Sequence, residues 1–450
     1  MTGCLQVSLP LSWNHHRQQA PPFVTRCALS KQGQRLLSTL DAAAGDPSAA
    51  NRLIRKFVAS SSKSVSLNAL SHLLLSSSNT IHPHLSSLAF PMYTRITETP
   101  WFNWNPKLVA NVVALLDKQG RIHEVETLIS ESVLKLRFRE RDLALFFCDL
   151  IDSHSKHGSK SGVLDSYDRL KQLLSGSSSS YLNRRAYESM INAMCVLDLP
   201  HDADKMLEEM RTLGFKPSAY EFRSLVHGYG RSGSFMEMRR VLRQMEDTGH
   251  ALDTICSNMV LSSYGTHGEL SEMTSWLRKM KDSDIPISIR TYNSVLNSCP
   301  TIMLLLQVPN FLPLSIEELI EKLQNDEALL VKELIKSSVL IETLEWGSSE
   351  AKLDLHGMHL GSAYLIMLQW VKELRWRFLA GNSVIPAEIT VVCGLGKHSS
   401  VRGESPVKAL VKEMMVQMRS PMKIDRRNVA CFVARGKAVK DWLCTYVDTV

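Results

Sequence analysis

The sequence predicts an α-helical solenoid of helix–turn–helix repeats followed by a small α/β sandwich domain. Three observations carry this expectation. The middle of the chain repeats itself every 35 residues, the last hundred residues alternate strand-like and helix-like segments, and basic charge collects in that same C-terminal stretch. At 450 residues the chain exceeds one average domain, so two or three folded units are expected. Its 44% hydrophobic and 22% charged residues are ordinary for a globular protein. No apolar run reaches the ~18 residues of a helical membrane span. Ile302 to Leu314 comes nearest and is broken by Gln307, Pro309, Asn310 and Pro313, so no membrane partner is expected.

Residues 1–27 read as an organelle transit peptide. The first acidic residue is Asp41, preceded by Arg17, Arg26, Lys31 and Arg35 with Ser8, Ser12, Ser30 and Ser38. Basic, Ser-containing and acid-poor is the composition of such leaders, and the continuous apolar core of a secretory signal is missing. Thr25-Arg26-Cys27-Ala28 resembles the processing context of plastid leaders, which points to the chloroplast, with the mitochondrion as the alternative. Residues 28–105 are expected to form a helical N-terminal region. Of nine cysteines none forms a C-x-x-C pair, so a zinc ribbon has no support, and scattered single cysteines suit buried positions in a reducing compartment.

The repeats are clearest over 184–218, 219–253 and 254–288, within a helical stretch of 106–299. Leu207, Leu242 and Leu277 recur at 35-residue spacing, as do Met210, Met245 and Met280. Tyr187, Phe222, Ser257 and Tyr292 share one position near the start of each unit, and Ile191, Val226, Leu261 and Leu296 share another. Gly233 and Gly268 mark the turn within a unit, and Gly214-Phe215-Lys216-Pro217 a loop between units. A fainter unit starts near Pro106, and another covers about 141–175. A single helical hairpin cannot bury its own apolar face, so neighbours must stack into a solenoid.

These units resemble the pentatricopeptide repeat, an RNA-binding helical hairpin of plant organelles. The matching stretches are Ala186 to Ile191, Glu221 to Val226 and Thr291 to Leu296. The resemblance implies that the fifth and last residues of each repeat face one base of single-stranded RNA: Glu188 with Ser218, Arg223 with Asp253, Asn258 with Ser288. An Asn amide and a hydroxyl suit a base edge, one base per repeat. Glu188 and Arg223 depart from that chemistry, and Arg223 is expected to contact phosphate or to pair with Asp253. A protein-binding solenoid of the tetratricopeptide type would share the helical geometry.

Beyond Cys299-Pro300 the register fails, and 300–347 reads as a helical linker. Ile316 to Leu323 and Glu327 to Ile335 are expected helices, with Asp326 as the cap of the second, and a boundary falls near Gly347-Ser348-Ser349. Strands are then expected at Lys352 to Leu355, Ala387 to Cys393 and Val429 to Val433. Helices are expected at Leu360 to Leu379, Glu404 to Arg419 and Lys437 to Tyr446, the second opened by Pro406. That alternation makes a small sheet covered by helices. Residues 351–450 carry 15 Lys+Arg against 8 Asp+Glu, a balance equal to the whole chain's +7, as a polyanionic partner would favour.

Two motifs sit at the expected strand ends. In Leu353-Asp354-Leu355-His356-Gly357, alternation along an extended segment puts Asp354 and His356 on one face, where a carboxylate can orient an imidazole or hold a cation. In Cys393-Gly394-Leu395-Gly396-Lys397-His398-Ser399, glycines followed by a helix suit a phosphate. Together, over 351–445, they resemble the small MutS-related (Smr) domain, whose signatures are Leu-Asp-x-His and Thr-Gly-x-Gly. Cys393 stands where that family usually has Thr. The whole order resembles the plant PPR-SMR class. It implies organellar RNA processing, stability or expression, with an endoribonuclease as the enzymatic version: Asp354 and His356 catalytic, Gly394, Gly396 and Lys397 phosphate-binding, Asp354 the candidate ligand for a divalent cation such as magnesium. The other versions are a non-catalytic RNA-binding scaffold and a DNA-binding protein of the plastid nucleoid.

Overall fold

The structure, a computed structural model, describes residues 29–43, 45–75, 83–176, 179–308, 311–379, 384–394 and 405–445. The expected transit peptide, and Gly396 and Lys397 of the second motif, lie outside the described residues. The chain divides into two compact units, residues 1–162 and 163–450, and each is described by itself.

The first unit is helical, with α1 (Lys31–Ala42), α2 (Pro47–Ser60), α3 (Lys63–Leu75), α4 (Pro83–Ser87), α5 (Ala89–Thr97), α6 (Pro106–Lys118), α7 (Ile122–Leu136) and α8 (Glu140–His157). Several starts are local chemistry. The side chains of Asp46 and Asn105 accept N–H bonds from the first turns of α2 and α6, each followed by a proline, whose missing N–H has no helical partner to lose. α6 and α7 form the faint unit expected near Pro106, turned at Gly120 (φ +71°). α6 packs on α8, with Val112, Val113, Leu116, Phe146 and Leu150 buried. The division between units falls inside α9 (Lys160–Leu174).

The second unit holds three hairpins, α10 (Ser180–Val196) and α11 (Pro200–Thr212), α12 (Ala219–Arg231) and α13 (Phe235–Asp247), α14 (Thr254–Thr266) and α15 (Leu270–Asp282), followed by α16 (Ile289–Leu296) and the short α17 (Pro300–Leu305). The 35-residue period is a period of packing. All three repeating leucines, all three repeating methionines and both sets of start-of-unit residues are buried, each large apolar one contributing about 1.5–3 kcal/mol. It is also a period of backbone. Left-handed residues fall inside the hairpins at Asp198, Gly233 and Gly268 and between them at Gly214, Gly249 and Asp284, positions that favour glycine and tolerate aspartate. First helices stack on first helices, α10 on α12, α12 on α14 and α14 on α16.

Beyond the hairpins come α18 (Ile316–Lys322), α19 (Asn325–Leu334) and α20 (Val339–Thr343), then a five-stranded sheet with three further helices. The strands are β1 (Leu344–Trp346), β2 (Glu350–Asp354), β3 (Glu388–Val392), β4 (Lys423–Ile424) and β5 (Cys431–Arg435), ordered β1-β2-β3-β5-β4. β2 and β3 are parallel, with α21 (Leu360–Leu379) as the crossover, and the other pairs are antiparallel. Ile389, Thr390 and Val391 of central β3 are all buried, as a strand covered on both faces requires. α22 (Pro406–Gln417) and α23 (Gly436–Thr445) both pack on α21.

Four expectations change. The sheet begins before residue 347, because β1 pairs with β2 through Leu344 opposite Leu353. The stretch after residue 300 is no free linker either: α19 packs on α15 and α21 on α16, so both rows of helices continue past the last hairpin. Gly361 permits this, since a Cβ there would stand 3.1 Å from Leu296 Cβ. Asp326 does not cap α19, which starts one residue earlier after Gln324; it lies in the first turn, where a carboxylate still complements the helix dipole. Finally, β2 ends at Asp354 and β5 starts only at Cys431, because turns claim His356-Gly357 and the residues before Cys431.

Candidate nucleic-acid interface

Ser218, Asp253 and Ser288 turn out to be the N-caps of α12, α14 and α16. The residue that ends one repeat is therefore the one whose side chain satisfies the first N–H groups of the next, and that fixes it beside the fifth residue of its own repeat. The three pairs then differ in chemistry. At Asn258 and Ser288, Thr291 stands between: its hydroxyl donates to Asn258 Oδ1 at 2.8 Å and accepts the Ser288 N–H at 3.0 Å. This orients the amide through its oxygen, with the two donors of its NH2 outside that bridge.

The Arg223–Asp253 pair is closed on itself. Arg223 Nη2 lies 2.6 Å from Asp253 Oδ2, while Oδ1 of the same carboxylate caps α14 through Cys256 N–H at 2.9 Å. Of the two roles expected for Arg223, the pairing is the one observed. Glu188 and Ser218 are linked only indirectly. Arg184 Nε donates to Glu188 Oε1 at 3.1 Å and its Nη2 lies 4.0 Å from Glu221, whose other oxygen accepts the Ser218 N–H at 2.7 Å. A carboxylate tied down in this way repels a phosphate and offers acceptors only.

The second cluster is built by the sheet. β2 and β3 run parallel and end together, Asp354 opposite Val392, at the strand-end position where open α/β sheets hold ligands. Asp354 Oδ1 accepts the backbone N–H of His356 at 2.8 Å, so the carboxylate pins the turn rather than the imidazole, and His356 is exposed. Gly394 follows β3 at φ +76°, and a Cβ there would lie 3.6 Å from His356 Cδ2, so the structure brings the two motifs together. Cys393 is buried, and burial pushes its thiol up to about 12, which keeps it protonated.

Arg426 and Arg427 were not singled out from the sequence. The β4–β5 turn that carries them precedes Cys431, which pairs with Val392, so two exposed guanidinium groups sit at the same end of the sheet as Asp354 and Gly394. The Arg-Arg doublet in a turn was the available signal. For a divalent cation the donors do not assemble. Among the described residues no three His, Cys, Asp or Glu side chains gather in a metal-holding group, and one oxygen of Asp354 is committed to its turn. Among the described residues the donor set does not fit a resident divalent cation. Among the described residues no helix is long and apolar enough to cross a membrane.

A model of the PPR repeat matches residues 185–215, 222–250 and 255–285. The chain is 56% identical over 418 residues to pentatricopeptide repeat-containing protein At2g17033 of Arabidopsis thaliana, covering 92% of this chain and 82% of that protein. A second Arabidopsis thaliana pentatricopeptide repeat-containing protein, At1g74750, is 31% identical over 97 residues, 21% of this chain and 11% of its own length. Among solved structures, the pentatricopeptide repeat protein PPR10 from maize aligns with 87% of this chain and 50% of its own at 16% identity, with a TM-score of 0.41.

Proposed function

The chain belongs to the pentatricopeptide repeat family, and from that premise we propose that it binds single-stranded RNA in an organelle and acts in RNA processing, stability or expression. The observation that carries this is the Asn258–Thr291–Ser288 arrangement, an amide held in place by a cap with its two donors outside that bridge. It stands on helices stacked one repeat apart, and such repeats take one base each. The leader composition favours the chloroplast over the mitochondrion.

The C-terminal sheet supplies the second half of the reading, an Smr-type module over 351–445 that works on the phosphate backbone. His356, exposed beside Gly394, is the group able to move a proton at the reacting oxygen. Asp354 holds the turn that presents it. Gly394, with Arg426 and Arg427 across the strand ends and with Gly396 and Lys397 next in the sequence, offsets phosphate charge. A scaffold that grips RNA without cutting it would use the same basic groups and leave His356 idle.

The test is an affinity comparison of the full chain for single-stranded RNA and for duplex DNA of the same sequence. Tighter binding of the single strand, by at least tenfold, is expected, because paired bases hide the edges that Asn258 would meet. Equal or tighter binding of the duplex would move the protein to the DNA-binding reading.

A further inference from the structure

The 35-residue register does not stop at Asn258. Counting on, Glu188, Arg223 and Asn258 lead to Asn293, in α16. By register its partner would be residue 323, but there the chain has left the repeat. What stands beside Asn293 instead is the turn after β2. Asn293 Nδ2 donates to the Gly357 carbonyl at 3.0 Å, and Asn293 Oδ1 accepts the His359 N–H at 2.8 Å. One helical turn on, Asn297 Nδ2 lies 2.7 Å from His359 Nδ1.

His359 is also placed as a repeat's last residue would be. Its carbonyl accepts the Ala363 N–H in the first turn of α21, and α21 packs on α16 as α16 packs on α14. Tyr292, neighbour to Asn293, reinforces the junction: its hydroxyl donates to the Leu334 carbonyl at 2.7 Å and lies 3.3 Å from Gln369 Oε1. The C-terminal sheet is thus docked as the next repeat of the stack. The amide that would have read a base is engaged at both its oxygen and its nitrogen with the turn that carries His356.

We propose that Asn293 is a positioning residue that sets the register between the RNA-reading repeats and the C-terminal module, so that His356 meets the nucleotide next to the one faced by Asn258 and Ser288. This rests on the RNA-binding reading above and adds a distance to it. Repeats spaced one base apart place the His356 turn one step beyond the Asn258 amide. A module on a flexible linker would instead reach many positions.

Photocrosslinking with the full chain tests this. The probes are single-stranded RNAs selected from a randomised pool by the wild-type chain, each carrying one thiouridine at a successive position, with crosslinked peptides identified by mass spectrometry. Expected is one position that crosslinks to the peptide of Asn258 and an adjacent position that crosslinks to the peptide spanning Leu355 to His359. Asn293→Asp, isosteric and still an acceptor for the His359 N–H but no longer a donor to Gly357, is expected to keep the first crosslink and spread or lose the second. Asn293→Ala should act the same way. Leu355–His359 crosslinks scattered over several nucleotides in the wild type, or unmoved by either variant, would overturn the register while RNA reading stands. No crosslink to the Asn258 peptide from any position would overturn RNA reading and the register with it.

Discussion

His356→Ala is expected to lower RNA cleavage by ~10²- to 10⁴-fold, the range for losing a general acid or base, while leaving RNA affinity within about twofold. Cleavage of a phosphodiester requires a proton to leave the attacking oxygen and another to reach the departing one. His356 is exposed at the strand ends beside Gly394, and an imidazole can both accept and donate a proton. Asp354 acts differently. Its oxygen accepts the His356 backbone N–H, so Asp354→Asn, which keeps an acceptor of the same shape, should cost far less than His356→Ala. Asp354→Ala should release the turn and approach the His356 loss. Product formation from labelled RNA under single-turnover conditions separates these cases. Wild-type RNA binding without any cutting, unchanged in all three variants, would assign the sheet module to gripping the backbone alone.

Gly230→Val is expected to destabilise the second unit by about 1–3 kcal/mol, as overpacking of a tight contact does. A Cβ at Gly230 would stand 2.6 Å from Ser263 Cβ, and one repeat later a Cβ at Gly265 would stand 2.8 Å from Ser298 Cβ. Gly230 and Gly265, like Ser263 and Ser298, are 35 residues apart, so the same glycine-on-serine approach sets how close successive first helices stand. A hydroxyl can rotate aside, but a Cβ is fixed to its backbone, so the helices themselves must part. The gain in helix propensity on leaving glycine, at most about 1 kcal/mol, does not offset this. Denaturant unfolding should show a lower midpoint for Gly230→Val, with part of the loss recovered when Ser263→Gly is added. An unchanged midpoint would mean that α12 and α14 tolerate a wider spacing than the structure shows.

Local chemistry and period were legible in the sequence. The 35-residue pattern is visible because each hairpin buries the same positions, and the ends of α21 were legible because a long apolar helix has one natural frame. The family resemblance placed Ser218, Asp253 and Ser288 at repeat ends, and their side chains are of the type that caps the next helix. The paired glycines and serines of the helix approach carry the same 35-residue spacing, but only the structure shows that they meet.

What could not be read depends on contacts distant in sequence. β1 is three residues long, too short for its Leu-Glu-Trp alternation to mark a strand; it is a strand because β2 is beside it. α19 shows no repeat motif, yet it fills the second-helix row against α15. Alternation along an extended segment put Asp354 and His356 on one face, but an Asx-type turn outcompeted extension immediately after Asp354. Asn293 matched a base-reading position by sequence, and only partners 64 and 66 residues away show its amide to be engaged.

The central claim, that the repeats face RNA bases through their fifth and last residues, is tested most directly at Asn258. Full-length wild type and Asn258→Ala would each be used to select RNAs from a randomised single-stranded pool, and the enriched base at every position compared. The expected result is that one position loses its preference, by roughly tenfold for a lost hydrogen bond of ~1.4 kcal/mol, while neighbouring positions keep theirs. If the preferences of the two pools are the same at every position, or if the wild type enriches no sequence at all, Asn258 does not read a base and the repeats serve another partner.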